Sequence, residues 1–156
     1  MRLSLDPSLD PSDYRFVHRI RPRFAETDAM GIIHHGAYAA YLEEARVELL
    51  RAAGHPYDQI RRQGIDFAVL ELYVRYRLAL RFDDEVDVHL AVGKLTRTTF
   101  QIGYLLQVAE ETRSTAVTVH GAVDSTGRAA RMPAWLAELA EPAGPADPVG
   151  PGDRSA

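Results

Sequence analysis

Cysteine is absent from this chain of 156 residues. Its absence excludes disulfide bonds, metal sites with thiolate ligands and a cysteine nucleophile. A nucleophilic serine of the Gly-x-Ser-x-Gly type is missing too, because no serine has glycine at both required positions. Any chemistry of this chain therefore has to depend on its other side chains.

Basic charge and long apolar runs are scarce as well. Lys and Arg number 18 against 22 Asp and Glu, which gives a net charge of −4, and no basic run is interleaved with aromatic residues. This balance argues against a nucleic-acid-binding surface. No apolar run approaches the roughly 20 residues needed to cross a bilayer, and the N-terminus lacks the regions of a signal peptide. We expect a cytoplasmic protein without a transmembrane segment.

Both ends of the chain are rich in Pro, Gly and Asp and lack apolar periodicity. Such segments bury too little apolar surface to offset the entropy that is lost on ordering. We therefore predict a flexible N-terminal tail over residues 1–13 and a flexible C-terminal tail over residues 141–156. One folded domain occupies residues 14–140.

Residues 37–53 carry the clearest helical pattern. Apolar side chains recur there at intervals of three and four residues and form one stripe, made of Tyr38, Tyr41, Leu42, Ala45 and Leu49. Charged residues, Arg46 among them, occupy much of the remaining helix surface. Gly54 and Pro56 then predict the end of the helix. Shorter helices are predicted over residues 57–63 and 133–140.

Strand patterns cover residues 14–25 and most of residues 65–124. In the second region apolar and polar residues alternate in four runs, which predicts strands with one buried face and one more polar face. The connections are short enough to join antiparallel neighbours. Pro22 lacks a backbone donor and so favours a sheet edge for the first strand. The order predicts an α+β fold in which one long helix packs across a curved antiparallel sheet of five or six strands. Its exposed edge predicts self-association.

The loop over residues 26–36, ETDAMGIIHHG, concentrates polar, turn-forming and titratable residues directly before the long helix. The first amides of a helix have no partner within the helix, and the helix dipole adds positive charge there, so such an end can polarise a carbonyl group. A carboxylate beside these amides has what acyl hydrolysis requires, because one group attacks or activates water while fixed donors stabilise the oxyanion.

Residues 28–46, DAMGIIHHGAYAAYLEEAR, resemble the signature of hotdog-fold acyl-CoA thioesterases. The similarity is greatest to the 4-hydroxybenzoyl-CoA thioesterase-like group, which includes the acyl-CoA thioesterases associated with the Tol-Pal system. It extends from Phe16 to Trp135. The resemblance implies the hotdog fold and hydrolysis of acyl-CoA to free acid and CoA. It further implies a homodimer or homotetramer and no metal or redox cofactor, since CoA is part of the substrate.

The resemblance also implies roles for individual residues. Asp28 matches the catalytic carboxylate, which acts as nucleophile or as general base. His35 matches the position at the helix entrance whose backbone N–H polarises the thioester carbonyl and whose imidazole orients the substrate or water. Gly31 lets the loop turn close to the substrate. Further substrate contacts are expected near the loop and, for the CoA phosphates, in the turn between two central strands, from Gly36, Tyr38, Lys94, Arg97 and Thr98.

Each candidate also has a purely structural interpretation. Asp28 could fix its loop through a hydrogen bond from its side chain to the backbone. Glu43 is a reserve catalytic carboxylate, because another hotdog branch carries its catalytic Glu on this helix, but it also fits a solvated helix face with Arg46 as its partner. The adjacent His34 and His35 lack a third ligand at metal-binding spacing.

Two other functions remain open at this stage. One is the hydrolysis of acyl groups carried by an acyl carrier protein, which predicts that the nucleotide half of CoA does not raise catalytic efficiency. The other is binding of acyl-CoA without catalysis, which predicts that replacing Asp28 leaves the function intact.

Overall fold

A computed structural model describes residues 6–140 and places the helices and strands in the predicted order. Short 3-10 helices at Pro11–Asp13 and Phe24–Glu26 lie on either side of the first strand. The remaining elements are β1 (Phe16–Ile20), α1 (Ala37–Ala52), α2 (Tyr57–Arg62), β2 (Asp66–Tyr76), β3 (Val86–Gly93), β4 (Thr99–Val108), β5 (Glu111–Val123) and α3 (Leu136–Ala140).

The five strands of the described chain form one antiparallel sheet in the order β1-β3-β4-β5-β2. β1 lies at an edge, as Pro22 predicted. The strand predicted over residues 14–25 is shorter than expected and ends at Ile20. After it the chain passes Pro22, which cannot donate to a neighbouring strand, and turns into the second 3-10 helix. The helix predicted over residues 37–53 matches α1 to within one residue.

α1 buries its apolar stripe against β4, whose helix-facing side chains Phe100, Ile102, Tyr104 and Leu106 are fully buried. Fully burying one such side chain contributes about 1.5–3 kcal/mol, so this layer holds the helix on the sheet. Arg46 departs from expectation. It is 4% exposed rather than part of a solvated face, because it lies on the same side of α1 as Leu42, where the Tyr57 ring covers its guanidinium at 5.7 Å.

The burial of the strands differs from simple alternation. In β4 and β5 side chains on both faces are buried, with Leu105 and Val117 at 0% exposure, whereas β3, which also has a neighbour on each side, keeps the alternation. In β2 the face predicted to be buried is open, and Leu72 is 46% and Tyr76 50% exposed. β2 is an edge strand with a neighbour on one side only, so the alternation there leaves apolar side chains uncovered within this chain.

The predicted tails are described only in part. Residues 6–13 include the first 3-10 helix, whose N-terminus is capped by the Asp10 carboxylate, and the Tyr14 hydroxyl donates to the Ser8 carbonyl at 2.7 Å. The flexible tail predicted over residues 1–13 stays a prediction, and the one over residues 141–156 lies outside the described residues. Within residues 6–140, no helix has both the length and the apolar character that a membrane crossing requires.

Candidate active site

The loop between β1 and α1 is built around Asp28. The Asp28 amide donates to the Ile32 carbonyl at 2.9 Å, and the Gly31 amide donates to the Asp28 carbonyl at 3.0 Å. One carboxylate oxygen, Oδ1, accepts from the Met30 amide at 2.8 Å. Gly31 has a φ of 73°, a left-handed conformation that glycine adopts without steric cost. The loop therefore holds the Asp28 carboxylate by one oxygen.

Glu26 ties this loop to α1. Its carboxylate accepts from the Tyr41 hydroxyl, from the Arg23 amide at 2.9 Å and from the Arg23 guanidinium at 2.8 and 3.0 Å. Burial alone would raise the pKa of the Glu26 carboxyl, but these hydrogen bonds outweigh burial and lower it. The Glu26 carbonyl in turn accepts from the His34 amide at 2.8 Å. Both ends of the loop are thus joined through one residue.

His34 and His35 form the entrance to α1. The Gly36 amide donates to Nδ1 of His34 at 3.0 Å, so the His34 side chain satisfies one of the amides at the helix start. The Tyr38 amide donates to the His35 carbonyl at 3.3 Å. The His35 amide donates to no group within residues 6–140. It is therefore free to donate to a bound oxygen at the positive end of the helix dipole.

Asp28, His35 and Tyr38 line one cavity of about 330 Å³. Its opposite wall comes from the end of β2 and the segment after it, where the Tyr76 ring packs edge-on against the Tyr38 ring at 4.9 Å. The Tyr76 hydroxyl donates to the His35 carbonyl at 3.4 Å. Tyr38 is 3% exposed, and burial raises the pKa of its phenol. The other lining residues are mostly apolar and comprise Met30, Ile32, Ile33, Arg77, Leu78 and Ala79.

A carboxylate with one unconstrained oxygen, a free helix-terminal amide and a mainly apolar cavity therefore occur together. The sequence model of the thioesterase-like superfamily matches residues 22–139. The chain belongs to this superfamily. In this thioesterase-like chain, no three carboxylate or imidazole groups within residues 6–140 lie close enough together to hold a metal ion.

Similar proteins carry related names. A relative from Aquifex aeolicus, named provisionally as an esterase, is 44% identical over 91 residues, which cover 58% of this chain and 71% of that protein. The acyl-CoA thioester hydrolase YbgC of Escherichia coli O157:H7 is 27% identical over 93 residues, covering 60% and 69% of the two chains. The DHNA-CoA thioesterase of Staphylococcus aureus superposes with a TM-score of 0.71 at 31% identity, over 74% of this chain and 78% of that one. These matches confirm the predicted family, the hotdog fold and the thioesterase class.

The Asp28 cavity brings together some predicted site residues and not others. Asp28, His35 and Tyr38 line it, and Gly31 and Gly36 lie in the loop that forms its rim. The phosphate-binding candidates line no part of it. They lie in the β3–β4 connection and are Lys94, Arg97 and Thr98. Their predicted contact with CoA phosphates stays a prediction.

Two further comparisons with the sequence hypotheses concern Glu43 and Tyr76. Glu43, the reserve carboxylate, does not line the Asp28 cavity and lies at a separate, smaller one. Tyr76 and the residues after it were missed as site residues. They reach the cavity because the Ile33 amide donates to the Leu80 carbonyl at 2.9 Å, which joins the loop to the segment after β2. A contact between segments so distant in sequence leaves no local sequence signal.

Proposed function

We propose that this chain hydrolyses acyl-CoA thioesters to the free acid and CoA, with Asp28 as the reacting carboxylate. The observation that carries the proposal is the shared cavity, which is lined both by Asp28 and by His35, the residue whose amide has no acceptor within residues 6–140. A nucleophile or base on one side of a carbonyl group and a donor on the other are the two requirements of acyl transfer.

In this mechanism the thioester carbonyl oxygen accepts from the His35 amide at the N-terminus of α1. The negative charge that develops on this oxygen is stabilised by that donor and by the helix dipole. Asp28 either attacks the carbonyl carbon or removes a proton from the attacking water. The C–S bond then breaks, and CoA leaves as a thiolate that needs little acid assistance. Where Asp28 is the nucleophile, water then hydrolyses the mixed anhydride on Asp28 to the free acid.

The Met30 amide prepares Asp28 for this role. It occupies Oδ1 and leaves Oδ2 without a partner among the described residues. This hydrogen bond fixes the orientation of the carboxylate. The structural interpretation of Asp28 and the catalytic one are therefore compatible, because the two oxygens serve different purposes.

We further propose that the active protein is a homodimer or homotetramer. Apolar side chains along the β2 edge are 39–53% exposed, namely Val69, Leu70, Leu72 and Tyr73. An edge strand with such a surface favours pairing with another strand. The Asp28 cavity lies against the end of this strand, so a second copy at the edge would complete its outer wall.

The substrate carrier is CoA rather than a carrier protein in this proposal, and Lys94, Arg97 and Thr98 are its phosphate contacts. The names of the Escherichia coli and Staphylococcus aureus relatives, which specify CoA esters, support CoA as the carrier. Lys and Arg side chains bind phosphate through charge-assisted hydrogen bonds. Replacing Arg97 by Gln is expected to raise KM for CoA esters and to leave KM for short pantetheine thioesters unchanged.

The deciding experiment measures release of free thiol from a panel of acyl-CoAs by the wild type and by Asp28→Asn. Loss of the carboxylate is expected to lower kcat by about a hundredfold or more. Asp124→Asn is the matched control, because Asp124 Oδ1 accepts from the Thr126 amide at 2.8 Å in the same kind of turn, outside the cavity. Equal activity of wild type and Asp28→Asn would refute the role of Asp28. Binding of acyl-CoA without hydrolysis by the wild type would favour the non-catalytic alternative.

A further inference from the structure

A second, smaller cavity of about 90 Å³ opens between α1 and β2. Its walls come from α1 and β2, and its floor comes from the helix-facing sides of β4 and β5. The residues that line it are Ala39, Leu42, Glu43, Arg46, Val69, Leu72, Tyr104, Thr118 and His120. The walls are largely apolar, whereas the deepest side chains are polar. This combination is typical of a binding site rather than of a packing defect.

Two of the deep polar groups lack partners. Arg46 is 4% and His120 1% exposed, yet Nη1 of Arg46 and Nδ1 of His120 have no hydrogen-bond partner within residues 6–140. Nε2 of His120 is satisfied by the Thr118 hydroxyl at 2.7 Å, which also lies 3.1 Å from the Tyr104 hydroxyl. Buried polar atoms without partners are uncommon, and two in one cavity indicate a polar occupant.

The electrostatics of the floor favour a negatively charged occupant. The Arg46 guanidinium has one carboxylate nearby, Glu43 at 3.9 Å, whose side chain is 67% exposed and so compensates the buried charge poorly. Burial, together with the Arg46 charge, lowers the pKa of His120 to about 3, so its imidazole is neutral at physiological pH. The floor thus carries one positive charge that is incompletely compensated.

The two cavities lie at successive positions along α1 and β2. Tyr38, Leu42 and Arg46 lie four residues apart on one face of α1, so Arg46 is about 12 Å along the helix from Tyr38. On the facing strand, Tyr76 and Leu72 are also four residues apart and share a face. Tyr38 and Tyr76 line the Asp28 cavity, and Leu42 and Leu72 line the second one.

We propose that the second cavity binds the far end of the acyl group, and that this end carries an oxygen acceptor, preferentially a carboxylate. The inference rests on the proposed thioesterase function. The acyl chain extends from the thioester at Asp28 between α1 and β2, and its terminal oxygen atoms accept from the Arg46 guanidinium. His120, held by Thr118, offers a further polar contact. Arg46 is then a specificity-determining residue that takes no part in the chemistry.

The test compares kcat/KM for straight-chain acyl-CoAs of graded length whose far end is a methyl, a hydroxyl or a carboxylate group. At the chain length that reaches Arg46, the wild type is expected to prefer the carboxylate end over the methyl end by roughly tenfold or more, with the hydroxyl end between them. A methyl end that is equal or better at every length would overturn the proposal, and this wild-type result requires no variant. No hydrolysis of any ester would instead refute the thioesterase function itself.

Variants then identify the residue responsible. Arg46→Met keeps the apolar volume of the side chain and removes its charge, and it is expected to abolish the carboxylate preference while hydrolysis of the methyl-ended ester continues. The ratio of the two substrates within one variant is independent of how much of the protein is folded. Arg51→Met, an exposed position on the same helix, is the matched control and should keep the wild-type ratio. An unchanged ratio in Arg46→Met would contradict the assignment to Arg46.

Discussion

The hydrogen bond from Tyr41 to Glu26 joins α1 to the loop that carries Asp28, and Tyr41→Phe removes it without changing the ring. Tyr41 is 5% exposed, and the Glu26 side chain 13% exposed, so water replaces the lost hydroxyl poorly. A buried hydrogen bond to a charged acceptor contributes about 1.5–3 kcal/mol. Because Glu26 keeps its contacts to Arg23, we expect the free energy of unfolding to fall by about 2 kcal/mol, at the lower part of this range.

Urea unfolding at fixed protein concentration, followed by fluorescence of the single tryptophan, Trp135, measures this change. Ser12→Ala is the control, since its hydroxyl donates to the carboxylate of Asp10 in an exposed pair, and its removal is expected to stay within about 0.5 kcal/mol. Combining Tyr41→Phe with Glu26→Gln tests the pair directly. We expect the two losses to be clearly less than additive, because both changes remove the same interaction. Strict additivity would refute the coupling.

The same pair predicts a dependence on pH. The pKa of Glu26 is lowered in the folded state, so its contribution is fully present above the unfolded value of about 4.3 and is lost as the pH falls from there through the folded pKa. The wild type should therefore lose stability more steeply over this interval than Glu26→Gln. Equal slopes for the two proteins would show that Glu26 is not preferentially ionised in the folded state.

Two further predictions concern the loop and the β2 edge. Gly31→Ala forces a side chain into a left-handed conformation, with no atom within 4 Å of the new Cβ. It should therefore cost about 1 kcal/mol of stability in thermal unfolding and also reduce thioester hydrolysis. Gly127→Ala, whose Cβ position is equally open at a φ of 81°, should show the same loss of stability but retain activity. Tyr73→Lys places a charge on the β2 edge and should lower the molecular mass of the assembly measured by sedimentation. Val17→Lys, at an exposed position on the β1 edge, is the control and should leave this mass unchanged. Unchanged association of Tyr73→Lys would exclude the β2 edge as the contact between copies.

Much of the fold could be predicted because its signals are local. The stripe that begins at Tyr38 repeats with the helical period, and Gly54 follows it, so α1 was placed to within one residue. Alternation identified β2 to β5 but could not give the sheet order. That order places β2 at an edge beside β5, and it decides which alternating side chains become buried. Leu72 and Leu106 both lie on faces that the alternation predicts to be buried, yet Leu72 is 46% exposed and Leu106 is fully buried.

The candidate site likewise contains residues that local sequence could predict and residues that it could not. Asp28, His35 and Tyr38 line the same cavity. They lie within one short segment of the sequence, so their proximity in the structure could be predicted. Tyr76 comes from a distant strand and reaches them through its contacts with Tyr38 and His35 and through the hydrogen bond from the Ile33 amide to the Leu80 carbonyl. Arg46 was interpreted as a solvated partner of Glu43, because a charged residue on a helix is usually exposed. Its burial depends on α2 and β5, which no pattern near Arg46 reveals.

The sheet order has a consequence for how the chain folds. β3 pairs with β4 and β4 with β5, so these three strands form a meander, whereas β2 pairs with β5 at the far end of it, with Asp66 opposite Val123. Closing short loops costs less entropy than closing long ones, so the meander is the expected first structure and β1 and β2 join its two sides afterwards. The Asp28 loop and α1 connect these two late strands. We therefore expect the candidate site to form in the final step of folding, after the central strands have paired.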